Sequence, residues 1–184
     1  MTKPIFVVMG KSGCGKSEIV SRLCGLTGIC RIRTTTTRPK RSETDTEYNF
    51  EDLSKFHADA ESGRYIAIRQ LSLLDYFGID KHNLDKGGII VADFKGFTEL
   101  YGRGLFVVGI YINSDRNVRL ERLKQRSDFN LEQFEQRAVD DDAQFSLEEI
   151  KELSRLVPIY ILDNNDEELE DLLAKINLLI QNYA

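Results

Sequence analysis

Four apolar runs without strict alternation stand out along the chain: Pro4–Met9, Gly88–Asp93, Leu105–Ile112 and Pro158–Leu162. A strand with one wet face alternates apolar and polar residues. Unbroken runs therefore predict strands covered on both faces, as in a parallel sheet. Elsewhere the apolar positions recur at helical spacing. Ser17–Cys24 reads as a helix, and Asp115–Arg126 places Val118, Leu120 and Leu123 on one stripe. Leu131–Gln144 and Leu147–Leu156 follow as helices. Asp166–Asn182 closes the pattern with Leu169, Leu172, Leu173, Ile176, Leu179 and Ile180. Strands alternating with helices predict a three-layer α/β domain.

Two stretches interrupt the alternation. Residues 30–85 are too long for an ordinary βα connection and contain short β-like pieces at Ile32–Thr36, Tyr48–Phe50 and Arg64–Leu71. They predict an inserted lobe that holds a second ligand. Residues 126–145, polar and rich in arginine and acid, predict a helical lid. The expected organisation of residues 1–184 is a single domain. Its core is 1–29, 86–125 and 146–184, its second-ligand lobe 30–85, and its lid 126–145.

The composition of the 184 residues, 41% hydrophobic and 30% charged, is that of a soluble globular chain. No apolar run approaches the roughly 20 residues that cross a bilayer. Met1-Thr2-Lys3 runs straight into the first apolar segment, so no signal peptide is expected. Cys14, Cys24 and Cys30 lack metal-ligand spacing, which makes reduced thiols in a cytoplasm the default. The net charge of −5 argues against a general nucleic-acid binder. Within this acidic chain, Arg31–Arg41 holds five basic residues and no acidic one, beside four consecutive threonines. Guanidinium groups next to hydroxyls suit a confined phosphate better than a long polyanion.

The first apolar run leads into Gly10-Lys11-Ser12-Gly13-Cys14-Gly15-Lys16-Ser17, the G-x-x-x-x-G-K-[ST] spacing of the Walker A loop, and a helix-like segment leads out. A strand, a glycine-rich turn and a helix N-terminus aim several backbone N–H groups at one point, which predicts an ATP site. Within it Lys16 is expected to reach the β- and γ-phosphates, and the Ser17 hydroxyl to hold Mg²⁺.

Beyond the loop, Thr36–Arg41 (Thr-Thr-Arg-Pro-Lys-Arg) is followed by Glu43 and then Tyr48-Asn49-Phe50. Phe56, Gly63, Tyr76-Phe77-Gly78 and Val91-Ala92-Asp93-Phe94-Lys95-Gly96 come next, then Arg126 and Arg137. This series, with a slightly shortened loop between Arg41 and Tyr48, resembles the guanylate kinase family over nearly the whole chain. The resemblance implies a P-loop phosphotransferase fold with a parallel sheet, a small β-containing lobe for a nucleoside monophosphate and a helical lid. It implies that Thr35, Arg38, Arg41 and Tyr48 hold the acceptor phosphate, with Tyr76 a further contact. It also implies that Arg126 and Arg137 close over the reaction centre. Asp93, at the carboxyl edge of a core strand, is either an acceptor-side residue that orients Mg²⁺ through water or a helix N-cap. The Asp163-Asn164 region resembles the family's adenine-side loop, and capping of the last helix explains it equally well.

The activity implied is transfer of the γ-phosphoryl group of ATP to GMP or dGMP, with no nucleic-acid or membrane partner. The base pocket departs from the family. The guanine-reading carboxylate position falls near Ala67 or Ile68, the supporting hydroxyl is Ile79, and a strand-end aspartate is Val91. Asp75, Glu61, Gln70 and Arg69 are the candidates to replace them. Two other readings stay open: a divergent kinase of another nucleotide or a phosphosugar, and a lapsed kinase-like module that binds a peptide. The intact Lys16, Ser17 and glycines weigh against the second.

Overall fold

Val7, Val8 and Met9 have no exposed surface, because the strand that carries them is paired on both edges and covered on both faces. A computed structural model describes residues 3–40, 43, 45–70, 73–125, 129–165 and 168–183. In chain order the elements are β1 (Ile5–Met9), α1 (Lys16–Thr27), β2 (Thr35–Thr36), β3 (Asn49–Phe50), α2 (Leu53–Glu61), β4 (Tyr65–Gln70) and β5 (Tyr76–Asp80). Then follow β6 (Gly88–Val91), α3 (Phe94–Gly102), β7 (Val107–Asn113), α4 (Arg116–Lys124), α5 (Leu131–Gln144), α6 (Leu147–Leu153), β8 (Ile159–Asp163) and α7 (Leu169–Gln181).

The main sheet runs β6-β1-β7-β8, and every pairing in it is parallel. Alternation along β1 separates the two faces. Ile5, Val7 and Met9 pack with Phe97 and Leu100 of α3 and Ile150 of α6. Phe6 and Val8 pack with Ile19, Val20 and Leu23 of α1 and with Leu172, Leu173 and Ile176 of α7. Helices on both faces of a parallel sheet make the expected three-layer α/β fold. Among the described residues, no helix is long and apolar enough to cross a membrane.

A second, mixed sheet runs β3-β2-β5-β4, with β2 parallel to β3 and antiparallel to β5. It is joined to the first in two ways. The backbone at Cys30–Ile32 hydrogen-bonds alongside Ile89 of β6. Ile66, Ala67 and Ile79 enter the same apolar cluster as Ile5, Val7 and Ile90.

Three elements lie outside the sequence expectation. For α2, only Leu53 and Phe56 supply a large apolar stripe, and its start is marked by the Asp52 carboxylate accepting the Lys55 N–H at 2.8 Å. For α3, Gly96 and Gly102 weaken the helix signal, while Phe97 and Leu100 are buried by the sheet. β5 gains strand character from its partners β2 and β4, which no local pattern announces. The second core strand ends at Val91 rather than Asp93 because Asp93 begins α3.

Candidate active site

The glycine loop leaves the carboxyl end of β1, where an open parallel sheet presents ligands. Close approach explains two of its glycines. A Cβ on Gly10, at φ +144°, would lie 2.4 Å from the Ile112 carbonyl oxygen, and one on Gly15, at φ +94°, would lie 2.9 Å from Asn164 Nδ2. The loop is tied down by buried polar side chains. Asn164 Nδ2 donates to the Cys14 carbonyl at 2.9 Å, and Arg119 Nη1 donates to the Ser12 carbonyl at 3.1 Å. Lys16 Nζ folds back over the loop and donates to the carbonyls of Gly10 (2.7 Å) and Lys11 (3.0 Å).

α1 starts on Gly15 without a side-chain cap, as do α4 on Asp115 and α7 on Glu168, whereas α2, α3, α5 and α6 are capped by Asp52, Asp93, Asn130 and Ser146. The amides of the first turn of α1, next to the glycine loop, can serve an external anion, with the positive end of the helix dipole behind them.

Three carboxylates meet this cationic loop. Asp141 Oδ2, on α5, accepts the Ser12 N–H at 2.6 Å and lies 3.8 Å from Arg119 Nη1. Asp142 pairs with Lys11, and that hydrogen bond holds its carboxyl below the ordinary range. Glu47 Oε2 accepts the Ser17 hydroxyl at 2.9 Å. Arg137 is exposed and lies about one helical turn before Asp141, so the two share a helix face.

On the second sheet, the Arg38 guanidinium lies 5.2 Å from the Tyr48 ring centre and 5.4 Å from that of Phe50. It pairs with Asp45 at 3.0 Å, both side chains being largely buried. Phe77 meets the Tyr48 ring edge to face, with ring centres 5.7 Å apart. The structure brings Arg38 and Tyr48 together, but Thr35 and Tyr76 face the other way. In register, Thr35 opposes Gly78, so its side chain points with that of Tyr76 and away from that of Phe77. Thr35 lies on the same face as Tyr65, and the Tyr76 ring rests on Phe56 and His57. The hydroxyl on the Arg38 side is Thr36 Oγ1, which accepts the Arg38 N–H at 3.1 Å. Arg41 and Arg126 lie outside the described residues.

Asp93 is the N-cap of α3, its Oδ1 accepting the Gly96 N–H at 2.6 Å. Its Oδ2 lies 3.4 Å from Arg69 Nε, a buried atom without a hydrogen bond among the described residues. Arg69 also approaches Glu99 at 3.5 Å, and Glu99 accepts the Ala67 N–H at 2.8 Å. Burial pushes the Glu99 carboxyl up. The Ala67 N–H, Arg103 and Arg69 outweigh it and hold the group below its usual value. Ala67, at φ +51° in the bulge between Ile66 and Arg69, and Ile79 are both buried, while Ile68 is exposed. Of the candidate replacements, Glu61 and Gln70 are exposed and Asp75 is half-buried.

Glu47, Arg119 and Asp141 enter the site without a motif to announce their contacts, and Asn164, in the stretch read as an adenine-side loop or a cap of the last helix, instead ties down the glycine loop. Their partners are 30, 107, 129 and 150 residues away, and only a buried arginine or asparagine in a polar stretch would have hinted at two of them.

No family model matches this sequence, and no curated protein matches it. In structure the chain is similar to guanylate kinase from Anaplasma phagocytophilum, with a TM-score of 0.62 and 20% identity over 98% of this chain and 86% of that one. The fold is guanylate-kinase-like.

Proposed function

We propose that the protein is an ATP- and Mg²⁺-dependent nucleoside monophosphate kinase that phosphorylates GMP or dGMP, giving ADP and GDP or dGDP. One observation carries this reading: the 2.9 Å hydrogen bond from Ser17 to Glu47, the neighbour of Tyr48, puts the donor loop one contact away from the acceptor clamp.

The donor triphosphate is bound by the uncapped amides of α1 and by Lys16, whose ammonium exchanges backbone carbonyls for phosphate oxygens. Arg38 exchanges the Asp45 carboxylate for the acceptor's phosphate, with Tyr48 beside it. An oxygen of that phosphate attacks the γ-phosphorus while the bond to the β,γ-bridging oxygen breaks and ADP leaves. The protein's work is to position the two anions and offset their charge. Arg137, with Arg126, is assigned to the charge on the moving group and Arg41 to the acceptor phosphate, whereas Thr35 and Tyr76, which face away from Arg38, and Asp93, which caps α3, are assigned no phosphate contact.

Ser17 fits Mg²⁺ as a hard oxygen donor. Among the described residues no group of three His, Cys, Asp or Glu side chains forms a metal site. When bound, Mg²⁺ neutralises phosphate charge and orients the triphosphate.

A second reading rests on the base pocket. Ala67, Ile68 and Ile79 offer no side-chain acceptor to the guanine N–H donors, and an unsatisfied buried donor costs about 1–3 kcal/mol. That pattern favours another nucleotide or a phosphosugar as acceptor. The test is ADP release from ATP and Mg²⁺ with GMP, dGMP, AMP, CMP, UMP, dTMP and IMP. Turnover of GMP or dGMP supports the first reading, and turnover of a different acceptor the second. No turnover with tight ATP binding moves the search to phosphosugars. Absence of ATP binding overturns the kinase assignment.

A further inference from the structure

Ser17 is the first-turn hydroxyl of α1, at the mouth of the glycine loop, and its partner is a half-buried carboxylate from a different part of the fold. Glu47 follows the segment in which Arg38 pairs with Asp45, and the Glu47 N–H itself lies 3.4 Å from Asp45 Oδ1. Asp45 thus touches both the acceptor-side arginine and the turn that aims Glu47 at the donor loop. Among the described residues no lysine or arginine forms an ion pair with Glu47. The other two loop carboxylates are near cations, Asp142 on Lys11 and Asp141 near Arg119.

The spacing of the two oxygens is informative. Magnesium takes octahedral oxygen shells with bonds of about 2.0–2.1 Å, which puts neighbouring ligand oxygens about 2.9 Å apart. Ser17 Oγ and Glu47 Oε2 are separated by 2.9 Å. A hydroxyl and a carboxylate at that separation can share one hard cation directly, or the carboxylate can hold a water of its shell. A purely structural hydrogen bond has the same length but makes no use of the negative charge.

We propose that Glu47 is a cation-site carboxylate contributed by the acceptor lobe, so that the divalent ion of the donor nucleotide also holds that lobe's Asp45–Tyr48 turn against the glycine loop. This rests on the donor-site reading above and adds to it a ligand-side residue. Its consequence is coupling: the metal should strengthen acceptor binding, and acceptor binding should strengthen metal binding by the same factor.

Glu47→Gln separates charge from hydrogen bonding, because the amide oxygen still accepts from Ser17. The experiment titrates Mn²⁺ by electron paramagnetic resonance into the complex with a non-hydrolysable ATP analogue, for wild type, E47Q and Glu47→Asp. In parallel, binding of the analogue in excess chelator is measured by calorimetry. We expect E47Q to weaken Mn²⁺ by about tenfold or more, the scale of lost ligand-shell partners. Metal-free analogue binding should be unchanged or tighter, since a negative charge beside the phosphates is gone. E47D, which keeps the charge, should lie closer to wild type. Mn²⁺ affinities within twofold across all three proteins would overturn the proposal while leaving the kinase reading intact. Equal losses of metal-bound and metal-free affinity would overturn it too, as they mark a structural role. Failure of wild type to bind the analogue at all would remove both.

Discussion

The Asp141 carboxylate of α5 accepts the Ser12 N–H at 2.6 Å, across 129 residues of sequence. A loop whose amides suit phosphate oxygens has here given one of them to a carboxylate oxygen of its own chain. With Asp142 on Lys11 and Asp45 on Arg38, internal acids occupy cationic groups on both the glycine loop and the second sheet. On the kinase reading proposed above, incoming phosphates would have to displace these acids.

Asp141→Asn keeps a side-chain oxygen for the Ser12 N–H and removes the charge that opposes a triphosphate. ATP affinity should rise by about two- to fivefold, the scale of one partly screened charge interaction. Calorimetric titration with ATP and Mg²⁺ checks this, and an unchanged or weaker affinity contradicts a competing role for Asp141.

Lys16→Ala removes the ammonium that spans the loop carbonyls of Gly10 and Lys11. The rate of ADP formation should fall by about 10²–10³-fold, as for other losses of a preorganised electrostatic donor. The circular-dichroism spectrum should persist, because these contacts are local to the loop. Full activity in this variant would sink the assigned donor site.

Arg38→Ala deletes the guanidinium that lies against Tyr48 and Phe50. Charged hydrogen bonds are worth about 1.5–3 kcal/mol, so the acceptor KM should rise by roughly ten- to a hundredfold with a smaller change in the ATP KM. Arg38→Lys should recover little, since an ammonium lacks the planar fork. Steady-state kinetics with each substrate varied in turn decides it; a selective rise in the ATP KM would misplace the clamp.

Stability at low pH should depend on Asp80. Its burial pushes the carboxyl up, but the 2.7 Å bond from Arg64 Nε, the His82 N–H and the Arg64 charge outweigh burial and hold it below the ordinary range. A depressed carboxyl contributes stability that is present above its unfolded value near pH 4 and is lost as pH falls through the folded one. Asp80→Asn should cost about 1 kcal/mol at pH 7, the low end for such a bond because the Arg64 side chain is 38% exposed. Urea unfolding at pH 7 and pH 3 should show a smaller acid loss in the variant than in wild type. An equal acid loss assigns the acid sensitivity elsewhere.

The parts of this protein that its sequence alone determined are those whose signal is contiguous. Val7 to Ser17 carry strand, turn and helix start within one short stretch, so the glycine loop is legible before any fold is known. The unbroken runs of β1, β6 and β7 likewise announce strands buried on both faces. The equally apolar run of β8 lies at the sheet edge with Tyr160 and Ile161 exposed, a difference its sequence does not show. Leu131–Gln144 was readable to its ends from helical periodicity. Tertiary structure decided the rest. Thr35 and Thr36 are chemically identical neighbours, and only the register against Gly78 and Phe77 sends one to the Tyr65 face and the other toward Arg38. Asp93 could serve a ligand or a helix until α3 was seen to start on it. The contacts of Glu47 with Ser17 and of Asp141 with Ser12 join segments that share no local pattern. Short-range periodicity reports which face of an element is dry. Which charged groups then meet is set by how the elements pack, a long-range property that no window of the sequence contains.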